Sequence, residues 1–98
     1  MTARERLENN EINADEVMLF DEEAFNESLI GTTESESCIR AVYDYGRMVE
    51  EYAEFHQISL EDAADHICYN IVRGLPYLGE KAPIIIDLFF EERDHDAD

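Results

Sequence analysis

Positive charge is what this 98-residue chain has least of: one lysine, Lys81, and six arginines stand against 25 Asp and Glu, for a formal charge of −18. A protein that grips a phosphate backbone does so with Lys and Arg, so the composition argues against ordinary nucleic-acid binding. Long apolar runs are missing too. None approaches the ~20 residues that cross a bilayer, and no basic stretch leads into an apolar one at the start of the chain. The expectation is a soluble, cytoplasmic protein without membrane contact. Its length allows one domain with one modest core, and a hydrophobic content of 45% with five Tyr and five Phe argues against a disordered chain.

The residues that usually carry chemistry are sparse and badly spaced for it. Cys38 and Cys68 form no CxxC pair and read as free thiols in a reducing compartment, with Cys68 on an apolar helical face and therefore expected in the core. His56, His66 and His95 belong to no HExxH motif. Asp62 and His66 stand four apart on one helix, a spacing that a solvated helix face explains without a metal. Ser59 and both cysteines lack an identifiable base, and no glycine-rich loop resembles a phosphate cradle. The chain is expected to be no enzyme, with no catalytic residues, metal or cofactor.

Proline- and glycine-rich linkers and internal repeats are also absent, which favours a single domain. The charge is uneven along it. Residues 1–36 hold 11 acids against 2 bases, residues 37–90 hold 9 against 4, and residues 91–98 hold 5 against 1. Residues 1–16 have few large apolar side chains and read as an acidic mobile arm or a frayed helix that cannot offset its ordering entropy by burial. Residues 91–98 read as an acidic tail, leaving 17–90 as the folded domain.

Within that domain the pattern is α+β. Val17-Met18-Leu19-Phe20 reads as an edge strand, and Asp21 as the cap of a short helix from Glu22 to Ser28. Ile30–Thr33 and Ile39–Tyr43 flank a polar stretch and suggest a hairpin. Asp44 suits the N-cap of a helix over Tyr45–His56, and Gln57-Ile58-Ser59 breaks it. Ser59 and Asp62 then resemble a capping box. The clearest periodicity follows: Leu60, Ala63, Ala64, Ile67, Cys68, Ile71, Val72 and Leu75 share one helical face, with Gly74 as a stop. Ile84–Phe90 reads as a buried strand or a short buried helix, and its β-branched run favours the strand. The expected architecture is a helical hairpin packed on a short antiparallel sheet.

With catalysis unsupported, the acidity itself is the candidate function. Duplex DNA carries about one charge per 1.7 Å of axis, and a compact protein with acids on several faces can offer a similar field to a basic groove. The candidate partner-binding carboxylates are Asp21, Glu22, Glu23 and Glu27, then Asp44, Glu50, Glu51, Glu54, Glu61, Asp62 and Asp65. Glu50 and Glu54 are one helical turn apart, roughly 6 Å, on the scale of phosphate spacing. Tyrosines can anchor such an interface: Tyr69 first, with Tyr43, Tyr45 and Tyr77. The competing explanation is background acidity of a salt-adapted, lysine-poor protein, which nine Ile and five Phe weaken.

Two resemblances add expectations. The strand–helix–break–helix order over residues 39–75 is similar to the ribbon-helix-helix domains of small repressors and antitoxins, which implies a homodimer. The strand offers only Arg40 to DNA, with Asp44 close behind, so operator binding is not expected. The second rests on Ala41-Val42-Tyr43-Asp44-Tyr45, Leu60-Glu61-Asp62-Ala63-Ala64-Asp65-His66-Ile67, Tyr69-Asn70, Arg73-Gly74-Leu75-Pro76-Tyr77-Leu78-Gly79 and Ala82-Pro83-Ile84-Ile85. Over residues 20–86 the chain resembles a family of small, mostly uncharacterised acidic proteins of bacterial genomes and their prophages. The resemblance transfers no established activity; by analogy of size, charge and a prophage setting, the expectation is an inhibitor of the anti-CRISPR or anti-restriction kind. Its expected partner is a basic nucleic-acid-binding protein or complex, and the alternative is a dimeric regulatory or antitoxin module.

Overall fold

The computed structural model describes residues 1–35 and 38–87. Helix α1 (Ala3–Asn9) opens the chain, and short 3-10 helices follow at Ala14–Glu16 and Glu23–Ser28. Strands β1 (Leu29–Glu34) and β2 (Ile39–Asp44) come next. Helices α2 (Tyr45–His56) and α3 (Leu60–Asn70), a 3-10 helix at Val72–Tyr77 and strand β3 (Ile84–Ile86) complete the order. The fold is α+β.

The two long helices begin and break where their end signals lie. The Asp44 carboxylate accepts a hydrogen bond from Gly46 N–H at 3.1 Å, satisfying one of the free donors at the start of α2. Gln57 adopts a left-handed conformation (φ 56°) and its N–H returns to the Ala53 and Glu54 carbonyls, closing α2. Ser59 Oγ accepts from Asp62 N–H at 3.0 Å and starts α3. That helix stops at Asn70, short of Leu75. Pro76 has no N–H to give and restricts the residue before it, and the chain tightens into 3-10 turns.

The sheet order is β1-β2-β3. β1 and β2 form the expected antiparallel hairpin, Thr32 opposite Ala41, with an irregularity between Leu29 and Gly31. β3 corrects the expectation of an all-antiparallel sheet: it runs parallel to β2, pairing Val42 with Ile84 and Asp44 with Ile86. The chain leaves β2, crosses through α2 and α3, and re-enters in the same direction, as a parallel neighbour requires. Leu88–Phe90 of the expected strand, and the expected tail 91–98, lie outside the described residues.

Residues 1–16, expected to be an arm or frayed helix with too little burial to hold it in place, contribute to the core. Thr2 and Glu5 form a reciprocal capping box on α1, and Ala3, Leu7 and Ala14 are buried. Asn26 fastens α1 to the domain. Its Oδ1 accepts from Ala3 N–H at 3.0 Å and its carbonyl from the Arg6 guanidinium at 2.6 Å. Val17–Phe20 is no edge strand but an irregular crossing segment, with Val17 buried and Phe20 N–H donating to the Tyr43 hydroxyl at 3.2 Å. The expected helix capped by Asp21 is a 3-10 helix instead, preceded by Glu22, which makes no side-chain cap bond.

The centre of the core is Phe25, Tyr43, Met48 and Ile67, each at most 1% exposed, packed with Ala41, Ala63 and Tyr52. Sheet, hairpin and N-terminal segment all meet there, which leaves the outer sides of α2 and α3 to carry the acids. Among the described residues no helix is long and apolar enough to cross a membrane.

Candidate interaction surface

α2 organises the acidic surface. At 100° per residue, Glu50, Glu54 and Glu51 fall within one sector of about 100° on its outer face. On one flank Glu50 lines a groove of about 420 Å³ with Asp44, Glu61 and Asp87, together with Arg47, Leu60 and Ala64. On the other flank Glu51 and Glu54 line a shallower cleft of about 270 Å³ with Glu23, Glu27 and the exposed Phe55. Eight carboxylates thus border α2 on two sides. Asp87 was not among the sequence candidates, because only the parallel return of β3 brings it beside the start of α2.

Other candidates stand apart from this ridge. Asp21 is exposed, away from both depressions. Glu22 is engaged by His56, whose Nε2 lies 3.3 Å from its Oε1. Asp62 and Asp65 are exposed on α3 but line neither cavity. Tyr69, 65% exposed, lies under the Arg73 guanidinium, 5.3 Å from its ring centroid. Tyr43 is fully buried and is no surface anchor. Cys68 is the reverse case: expected in the core, it is exposed, since the core takes the Ala63 and Ile67 side of α3.

The charge of the ridge is little compensated. Among the described residues, Glu23, Glu27, Glu50, Glu51, Glu54 and Glu61 form no ion pair. Three of the arginines are engaged elsewhere. Arg4 pairs with Glu8 and Asp15, Arg6 serves Asn26, and Arg40 Nε donates to the Ala82 carbonyl at 2.8 Å. Among the described residues Arg47 is the only basic side chain lining these depressions, close enough to favour the Glu51 charge without pairing with it.

Glu51 shows what this crowding does. Its Oε1 is buried with no hydrogen-bond partner. Burial pushes its carboxyl above the usual carboxylate range; Arg47 opposes the shift, and Glu27, Glu54 and Glu50 add to it. A carboxyl whose pKa rises on folding favours the fold while protonated and disfavours it once ionised. Glu51→Gln is therefore expected to raise the melting temperature at neutral pH. The gain should vanish below about pH 4, where the unfolded carboxyl is also protonated. Thermal melts of both proteins at the two pH values check this, and equal gains at both would contradict it.

Among the described residues no group of three or more His, Cys, Asp or Glu is placed to hold a metal ion. His66 lies stacked against Tyr52 at 4.6 Å between centroids and contacts Asn70, while Asp62 is exposed. Comparison with known proteins finds no protein family, no curated relative and no solved structure that matches the chain.

Proposed function

We propose that this is a non-enzymatic binding protein that occludes a basic, nucleic-acid-binding surface of a partner by charge mimicry. One observation carries the reading: carboxylates border α2 on both sides, and six of them form no ion pair among the described residues. Like charges brought together disfavour the isolated fold, and a cationic partner relieves them. Glu50 and Glu54, one turn apart, offer a phosphate-like spacing, and Phe55 adds an apolar contact at the edge. The prophage setting suggested by sequence resemblance gives the partner a class, a nucleic-acid-handling defence complex of the kind that anti-CRISPR and anti-restriction inhibitors block.

The position of β2 favours this reading over the ribbon-helix-helix alternative. Such a dimer pairs the strand before its first helix with the same strand of a second chain. Here β2 is the central strand, with β1 on one edge and β3 on the other.

Competition is the test. The protein should displace duplex DNA from its captured partner at low salt, and lose about tenfold or more in potency between 50 mM and 500 mM salt as exposed charges are screened. Charge reversal by Glu50→Lys, Glu54→Lys and Glu61→Lys together should abolish displacement while circular dichroism stays unchanged. Displacement that survives both the salt and the reversal would refute the proposal.

A further inference from the structure

The apolar stripe of α3 is wider than the core it serves. Ala63 and Ile67 face inward and are fully buried, but Leu60 is 58% exposed and Cys68 is also exposed. With Ala64 and Val72 these residues line one side of two adjoining depressions that share Tyr45 and Asp87. The one at the β3 end, about 340 Å³, is lined mainly by apolar side chains, among them Leu75, Ile85 and Ile86. The other is the groove rimmed by Asp44, Glu50 and Glu61. Together they make a trough along α3 with an apolar floor and an acidic end. The helix beside it has 11 residues, about 16 Å at 1.5 Å per residue.

We infer that this trough is the docking site of a basic amphipathic helix of the partner. The inference rests on the proposed function and names the kind of element that is captured. A helix laid alongside α3 presents apolar anchors at i, i+4 and i+7 to a floor of this length. Its Lys and Arg then reach Glu50 and Glu61, which form no ion pair among the described residues. The chemistry decides between occupants. A second copy of this chain would bring two acidic rims together in a molecule whose formal charge is already −18.

The probe is a labelled 14-residue helical peptide with Leu at the anchor spacing and Lys on its other face, set against a scrambled peptide of the same composition. Fluorescence anisotropy should show the patterned peptide binding at least tenfold more tightly. Leu60→Asp, at an exposed position outside the core, should remove that preference, and Glu50→Lys with Glu61→Lys should weaken binding of both peptides. Equal binding of the two overturns the trough but leaves charge mimicry standing; binding of neither overturns both. Two further results assign the trough to another occupant and overturn the inference. One is a wild-type dimer that Leu60→Asp turns into a monomer. The other is a tenfold gain in peptide affinity in the Phe89→Ala, Phe90→Ala double variant, which gives the site to the chain's own apolar residues beyond Asp87.

Discussion

Replacing Phe25 with alanine is expected to destabilise the protein by about 3–5 kcal/mol, the range for a large aromatic removed from a packed core. Domains of this size hold only about 5–15 kcal/mol in all, so a large part of the fold's margin depends on one ring. Phe25 is 1% exposed and comes from a 3-10 helix that has no side-chain cap. Its conformation is held by tertiary packing. The ring meets Phe20 edge-on at 6.0 Å and lies 5.7 Å from Tyr52 of α2. It thus ties the N-terminal third of the chain to the helix that displays the acids. Urea titration should show the midpoint falling steeply in Phe25→Ala. A loss below about 1 kcal/mol would mean that the N-terminal third is not cooperative with the α2–α3 hairpin.

That dependence explains why the N-terminal third was the least legible part of the sequence. α2 and the start of α3 could be read because their signals are local: a capping Asp44, a break at Gln57-Ile58-Ser59, and a Ser59 cap. The hairpin of β1 and β2 could be read for the same reason. α1 had its local signal too, in Thr2 and Glu5, but its value depends on Asn26, 20 or more residues away, accepting from Ala3 and Arg6. Low apolar content suggested an arm, yet small residues such as Ala3 and Ala14 fill the core as surely as large ones.

The candidate surface was legible in the same uneven way. The identity of its carboxylates follows from helix positions, but their division between two flanks of α2 needs the 3-10 helix on one side and β3 on the other. Periodicity in α3 shows an apolar stripe without showing which half is covered. The core takes Ala63 and Ile67, and Leu60 and Cys68 are left on a surface. The over-wide stripe beside a row of acids is thus legible in the sequence, but which half of it the core covers is not.

Tyr43 carries the second large effect, because it is fully buried in the central strand and its hydroxyl accepts from Phe20 N–H at 3.2 Å. Tyr43→Ala should cost about 3–5 kcal/mol, as for other large aromatics. Tyr43→Phe keeps the ring, 4.8 Å from that of Phe20, and removes only the acceptor, for a loss of about 1 kcal/mol. The two variants therefore separate packing from hydrogen bonding at one position. The hydroxyl also predicts an alkaline limit. Burial pushes its pKa above the ordinary tyrosine value, and the Phe20 hydrogen bond and the Arg6 charge offset only part of that. In the unfolded chain the group ionises near pH 10, so the stability it confers is complete below that pH and is lost as pH rises above it. Urea midpoints should fall between about pH 8 and about pH 11, and fall less in Tyr43→Phe. Tyr52, raised by burial and by Glu22, should leave the variant some residual sensitivity. Identical alkaline losses in wild type and Tyr43→Phe would show that Tyr43 is not the group that sets the limit.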